Sequence, residues 1–328
     1  MDCVRYAADV PAWLEDFCAV PEMQRLKDVG MNCGCEYTSF PRFSHLPAYS
    51  RYRHSRGTAL IVWNFTGDKA QTLAALFHDI ATPAFAHTID FLRGDHLRQE
   101  FTEGRTETII RGSEPIMRLL RRHRIAPEAV TDYHLYPVAD NDSPRLSADR
   151  LEYTLGNLLG YGLQNACVLQ RYYDDVCVAQ AEDGTAELAF RSPETAAAFA
   201  HDALKTARIF VSDEDRYAMQ MLAELIGRAE EKGVLTAEAL YGTERSVIAL
   251  LEKDVELRER WARYRALHRM LNDPETAPAA DRRVIPAKKR CIDPLVRGMG
   301  RVSALIPSFR EALADFLAAP QTHWLCAE

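Results

Sequence analysis

The chain has 328 residues, 47% of them hydrophobic, enough to bury a sizeable core as one large globular domain or two modest ones. Its net charge of −7 argues against a general nucleic-acid or anionic-membrane binder. No run of about 18 apolar residues occurs, and Met1-Asp2-Cys3-Val4-Arg5 lacks the apolar centre of a signal peptide, so a soluble, cytoplasmic protein without a membrane span is expected. The eight cysteines are scattered, and the closest pair, Cys33-Gly34-Cys35, has no second pair at zinc-ribbon spacing, so all read as reduced thiols.

In chain order, apolar positions at Trp13, Leu14, Phe17, Val20 and Met23 predict short helices between Pro11 and Val29, closed by Gly30. The stretch 35–40 reads as extended. Helical spacing runs from Gly57 to Phe65, and Asp68 with Gln71 predicts a capped helix that buries Leu73, Leu76, Phe77 and Ile80. Thr82-Pro83 reads as an N-cap with proline at the first helical position, so a new helix is expected there. One amphipathic helix is predicted over 106–124, with a solvated basic end, and Ser147 caps another that bears Asp149, Tyr153 and Asn157. Alternating residues 176–180 and 185–190 across Asp183-Gly184 predict a hairpin. Helices resume at Ser192, Ser212, Thr236 and Thr243, a Pro/Ala-rich linker covers 272–286 ahead of Lys288-Lys289-Arg290, and a last helix spans 307–318. The expected class is all-α with one small β-hairpin.

The chemistry centres on Leu76-Phe77-His78-Asp79-Ile80-Ala81-Thr82-Pro83-Ala84-Phe85-Ala86-His87. His78 and Asp79 are read as adjacent polar groups inside an otherwise apolar helix, a costly placement unless partnered, and imidazole with carboxylate suits a divalent cation. His54 lies upstream in Arg51-Tyr52-Arg53-His54, and Asp149 downstream in Ser147-Ala148-Asp149-Arg150-Leu151-Glu152-Tyr153. This H…HD…D order resembles the HD-domain metal-dependent phosphohydrolases, and within them the deoxynucleoside triphosphate triphosphohydrolase-like branch. The likeness extends over roughly residues 23–253.

The resemblance implies an HD-domain helical core with its N-terminal lead-in over 1–165, and a hairpin plus C-terminal helical region over 166–328 packed on it as one unit. It implies one divalent metal ion on His54, His78, Asp79 and Asp149, phosphate contacts from Arg51 and Arg150, a sugar contact from Tyr153, and assembly into dimers or larger oligomers. It also identifies His87 as a catalytic candidate. Three positions depart from the branch: Thr82 stands where it has a histidine, Thr106-Glu107 where it has a His-Glu pair, and Asn157 where it has an aspartate. Thr82 and Asn157 remain substrate-binding candidates and Glu107 a catalytic one. A hydroxyl does not replace imidazole as an acid or base near neutral pH, so triphosphohydrolase activity is in question.

The expected function is metal-dependent hydrolysis of a nucleotide or related phosphate ester. One alternative is a nucleotide-sensing protein with altered catalysis, and another is a dinuclear HD-type oxygenase recruiting His96 and His123. The second HD pair, His201-Asp202, lacks companion ligands and reads as chance, with Lys205 and Arg208 on a solvated helix face.

Overall fold

Side-chain caps set most helix starts in the computed structural model, which describes residues 4–94, 96–97 and 105–328. Two short helices, α1 (Ala12–Cys18) and α2 (Pro21–Arg25), precede Gly30. The stretch expected to be extended makes a 3-10 turn at Cys35–Tyr37 instead, because Gly34 at φ 90° turns the backbone through a conformation that only glycine adopts cheaply. Ser50 caps α3 (Arg51–Thr66), and Asp68 caps α4 (Lys69–Phe77) by accepting from the Gln71 amide at 3.0 Å.

Helix α4 ends at Phe77, so His78 stands at its C-cap and Asp79 in the turn beyond. No helix begins at Thr82-Pro83. The Thr82 hydroxyl donates to Asp79 Oδ1 at 2.8 Å, and the chain runs through turns to α5 (Thr88–Arg93). Phe85 and Ala86 sit at φ 63° and 45°, a left-handed pair that costs of order 1 kcal/mol or more per residue and brings His87 to the cavity described below. The helix expected over 106–124 is two, α6 (Thr106–Gly112) and α7 (Glu114–His123). Ser113 caps the second, and Pro115 offers no amide to a continuous ladder.

Ser147 caps α8 (Ala148–Gly160), which is followed by α9 (Ala166–Asp174) and the hairpin β1 (Val176–Gln180) and β2 (Ala186–Phe190), in register Val176 to Phe190. Next come α10 (Pro193–Ile209), α11 (Asp213–Glu231), a 3-10 turn at Ala239–Tyr241 where a helix was expected from Thr236, α12 (Glu244–Leu251) and α13 (Val255–Ala266). The hairpin is half of a larger sheet. The two-residue strands β3 (Leu295–Val296) and β4 (Gly300–Arg301) extend it in the order β1-β2-β3-β4, with β2 and β3 parallel. Glu187 on β2 is wholly buried, and its two oxygens accept from Arg301 on β4 at 2.6 and 2.8 Å, which ties the added strands down. Helices α14 (Val302–Leu305) and α15 (Pro307–Ala318) close the described chain.

Helix α3 packs against both α4 and α8, and this trio positions the site. Apolar residues of α1, α2, α4 and α7 fill one core beside it. A second core joins α8, α9, α10 and the sheet, and a third joins the 33–43 segment to α11, α12 and α13. Among the described residues the cysteines are free thiols, and no helix is long and apolar enough to cross a membrane.

Candidate metal centre

Three elements deliver the donors: α3 carries His54, the end of α4 carries His78 with Asp79 after it, and the first turn of α8 carries Asp149. His54 Nε2 lies 3.1 Å from His78 Nε2 and 2.9 Å from Asp149 Oδ1, and His78 Nε2 is 3.5 Å from that same oxygen. Donors sharing one ion at ~2.1 Å stand roughly 3.0–3.4 Å apart, so the spacing matches a shared cation.

The opposite ring nitrogens decide the protonation. His54 Nδ1 is 2.6 Å from Glu152 Oε2 and His78 Nδ1 is 2.7 Å from the Ala75 carbonyl. Both oxygens only accept, so both Nδ1 atoms carry hydrogen and the neutral rings turn bare Nε2 lone pairs toward each other. Two lone pairs at that distance require a positive charge between them, either a proton on one ring or a metal ion held by both. Burial disfavours the proton on His54, but the hydrogen bonds to Asp149 and Glu152 outweigh it and raise its pKa to about 10. Burial likewise raises the Asp79 and Asp149 carboxyls, yet Arg51 beside Asp79 and the two imidazoles beside Asp149 hold both below the usual carboxylate range. His54, His78 and Asp149 thus form a candidate metal site.

Asp79 stands at the rim of this group, with Oδ2 3.5 Å from His78 Nε2 and 3.8 Å from His54 Nε2. Arg51 Nη1 donates to both of its oxygens at 3.1 and 2.9 Å, and Thr82 also holds Oδ1. The centre opens into a cavity of about 590 Å³, which also receives Thr82, His87, Arg150, Tyr153 and Asn157. Arg150 lines the cavity, and its guanidinium also donates to Asp140 and Asn141 of the preceding loop. The Asn157 amide donates to the Tyr153 carbonyl at 2.8 Å.

Glu107 is not brought to the cavity. It lies exposed on α6, paired with Arg111 at 2.7 Å, because the break at Ser113 and the amphipathic phase of α6 turn it to solvent. His96, His123 and His201 are also elsewhere. His96 stacks on Phe91, His123 packs near Trp13 and Phe17, and neither lines the cavity, which leaves the dinuclear alternative without its second ligand set among the described residues. His201 packs on Phe309, while Asp202 accepts from Gln164, Tyr172 and Lys205 and is fully used in structure.

Four contributors escaped the sequence reading. Glu152 aligns His54, yet in sequence it is one more glutamate on a helix, and only its one-turn offset from Asp149 hinted at it. Asp90, entirely buried, accepts from His87 Nδ1–H at 2.8 Å and leaves Nε2 to the cavity; the i, i+3 spacing was a usable signal. Lys288 and Arg290 line the cavity from the segment read as a basic linker end, and no local pattern reports that placement.

Comparison with known proteins gives two distant relatives. At 27% identity, 204 residues, 62% of this chain, align with the uncharacterised protein YdhJ of Bacillus subtilis, covering 61% of it. At 26% identity, 141 residues, 43% of this chain, align with the metal-dependent phosphohydrolase cns2 of Cordyceps militaris, covering 39% of it. The chain therefore spans less than two thirds of either relative. No protein-family model matches it.

Proposed function

We propose that this protein is a metal-dependent phosphohydrolase of the HD type, acting on a nucleotide or related phosphate ester, with one divalent cation held by His54, His78, Asp79 and Asp149. The observation that carries the reading is the pair of bare Nε2 atoms at 3.1 Å, each fixed from behind by an acceptor, beside a cavity large enough for a nucleotide-sized ligand. The name of the cns2 relative supports the reaction class. When bound, the cation would acidify a water molecule and offset phosphate charge.

The chain's own residues supply the rest. Arg51 pins Asp79 through Nη1 and, lining the cavity, offers its positive charge to the phosphate, and Tyr153 packs along the sugar or equivalent group. His87, oriented by Asp90, exchanges a proton with the leaving oxygen through Nε2. Burial lowers its pKa while the Asp90 hydrogen bond opposes the shift, so the neutral ring is favoured and Nε2 accepts a proton before it can return one. This dyad favours hydrolysis over sensing alone, despite Thr82. The test is metal analysis together with a screen of nucleotides and simple phosphate esters with Mn²⁺, Mg²⁺, Co²⁺ or Ni²⁺. His54→Ala and Asp149→Ala should abolish metal binding and turnover together, and His201→Ala should keep both. No bound metal and no turnover under any condition overturns the proposal.

A further inference from the structure

The wall of the cavity contributed by α11 and residues 31–33 holds a carboxyl that neither the metal centre nor the fold uses. Asp215 is 8% exposed and lines the cavity, and among the described residues its side chain accepts only from the Cys35 thiol at 3.8 Å, a weak donor. Burial pushes its pKa well up, and the more distant charges of Arg216 and Arg42 do not offset that rise. An enclosed carboxyl without a strong partner costs stability and calls for an explanation. Helix capping does not provide one, because Ser212 caps α11, and Asp213 and Glu214 already supply acidic charge to its first turn.

The neighbouring groups complete a recognition surface. Tyr161 donates to Asn32 Oδ1 at 3.1 Å, which orients that amide, and among the described residues nothing pairs with its Nδ2. Met219 lies one turn beyond Asp215 on the same face of α11, and it and Phe210 give the cavity apolar surface. We infer that Asp215 and Asn32 form a subsite that grips the neutral end of the substrate through its N–H or O–H donors, the chemistry that a nucleobase or a polyol carries. The inference rests on the phosphohydrolase reading for what lies at the other end of the substrate, but the subsite can be tested without hydrolysis.

The probes are unphosphorylated nucleosides (adenosine, guanosine, cytidine, thymidine) and polyols (myo-inositol, sorbitol), followed by thermal shift and calorimetry on the full chain in EDTA. At least one probe should raise the melting temperature of the parent. Asp215→Asn and Asp215→Ala should weaken that probe by about tenfold, the size of one hydrogen bond to the ligand, while unfolding no earlier than the parent. A nucleoside response assigns a base-reading subsite and a polyol response a sugar-reading one. No response in the parent, an undiminished response in both variants, or loss of folding in both overturns the inference. If the parent hydrolyses no phosphate ester yet the Asp215-dependent shift is present, the reaction assignment fails and the subsite stands.

Discussion

Glu152 tests the metal-centre argument most directly. It is 2% exposed, and it accepts from His54 Nδ1–H at 2.6 Å, from the Tyr49 hydroxyl on the same oxygen, and from the Tyr6 hydroxyl at 3.4 Å on the other. Glu152→Ala strands the His54 and Tyr49 donors in the interior, at about 1–3 kcal/mol for each, or roughly 2–6 kcal/mol of stability. Glu152→Gln keeps the volume but satisfies one donor fewer and removes the negative charge behind the imidazole; metal affinity should fall about 10–100-fold. Two helical glycines sharpen the test. A Cβ at Gly57 would lie 2.6–2.9 Å from the Glu152 side chain, and one at Gly156 would lie 2.3 Å from the Tyr49 hydroxyl. Helix propensity alone predicts that Gly57→Ala stabilises by about 1 kcal/mol. The packing predicts the opposite sign, together with loss of metal affinity as Glu152 is displaced. Titration calorimetry with Mn²⁺ on chelator-treated protein and urea unfolding measure both quantities. A Glu152→Gln variant with parental affinity, or a Gly57→Ala variant that is more stable and binds metal normally, would refute the role given to Glu152.

Asp90→Asn should lower kcat by about 10²-fold with metal stoichiometry intact, because only the orientation and basicity of His87 change; a parental kcat would remove the dyad from the mechanism. Arg301→Ala leaves Glu187 charged and buried, and should destabilise by about 3–5 kcal/mol in thermal or urea unfolding, whereas a loss below about 1 kcal/mol would mean the sheet does not depend on that pair. Burial and the nearby Glu244 raise the Glu36 carboxyl to about 8 from its usual 4.5. The native state therefore binds an extra proton between those values, so the stability that this proton carries is full below about pH 4.5 and is lost as pH rises through 8. Glu36→Gln should flatten the fall in urea midpoint from pH 5 to pH 9, and an unchanged slope would contradict the shift. Chelation of the parent should lower its melting temperature in proportion to metal affinity, and readdition of metal should restore it.

Local chemistry made much of this protein legible without coordinates. Caps at Asp68, Ser147, Ser212 and Thr243, the Asp183-Gly184 turn and the bounds of α15 follow from interactions within a few residues, and they hold in the structure. The order of His54, His78, Asp79 and Asp149 was visible as well, because metal-competent residues are conspicuous in an apolar setting. Tertiary structure decided the rest. Thr82 reads as a cap in sequence, but no helix follows it and its hydroxyl donates to Asp79, and Arg150, which lines the cavity, also ties down the loop of Asp140 and Asn141. Strands β3 and β4 are two residues each, too short for any alternation, and they exist only because β2 offers an edge and Glu187 requires Arg301. Glu152, Asp90 and Asp215 are ordinary acidic residues in sequence, and their parts in the site come from what the folded chain sets against them. Backbone preference acts over a few residues and can be read in order along the chain, whereas the partner of a side chain is fixed by packing between segments more than a hundred residues apart, as when Tyr49 meets Glu152.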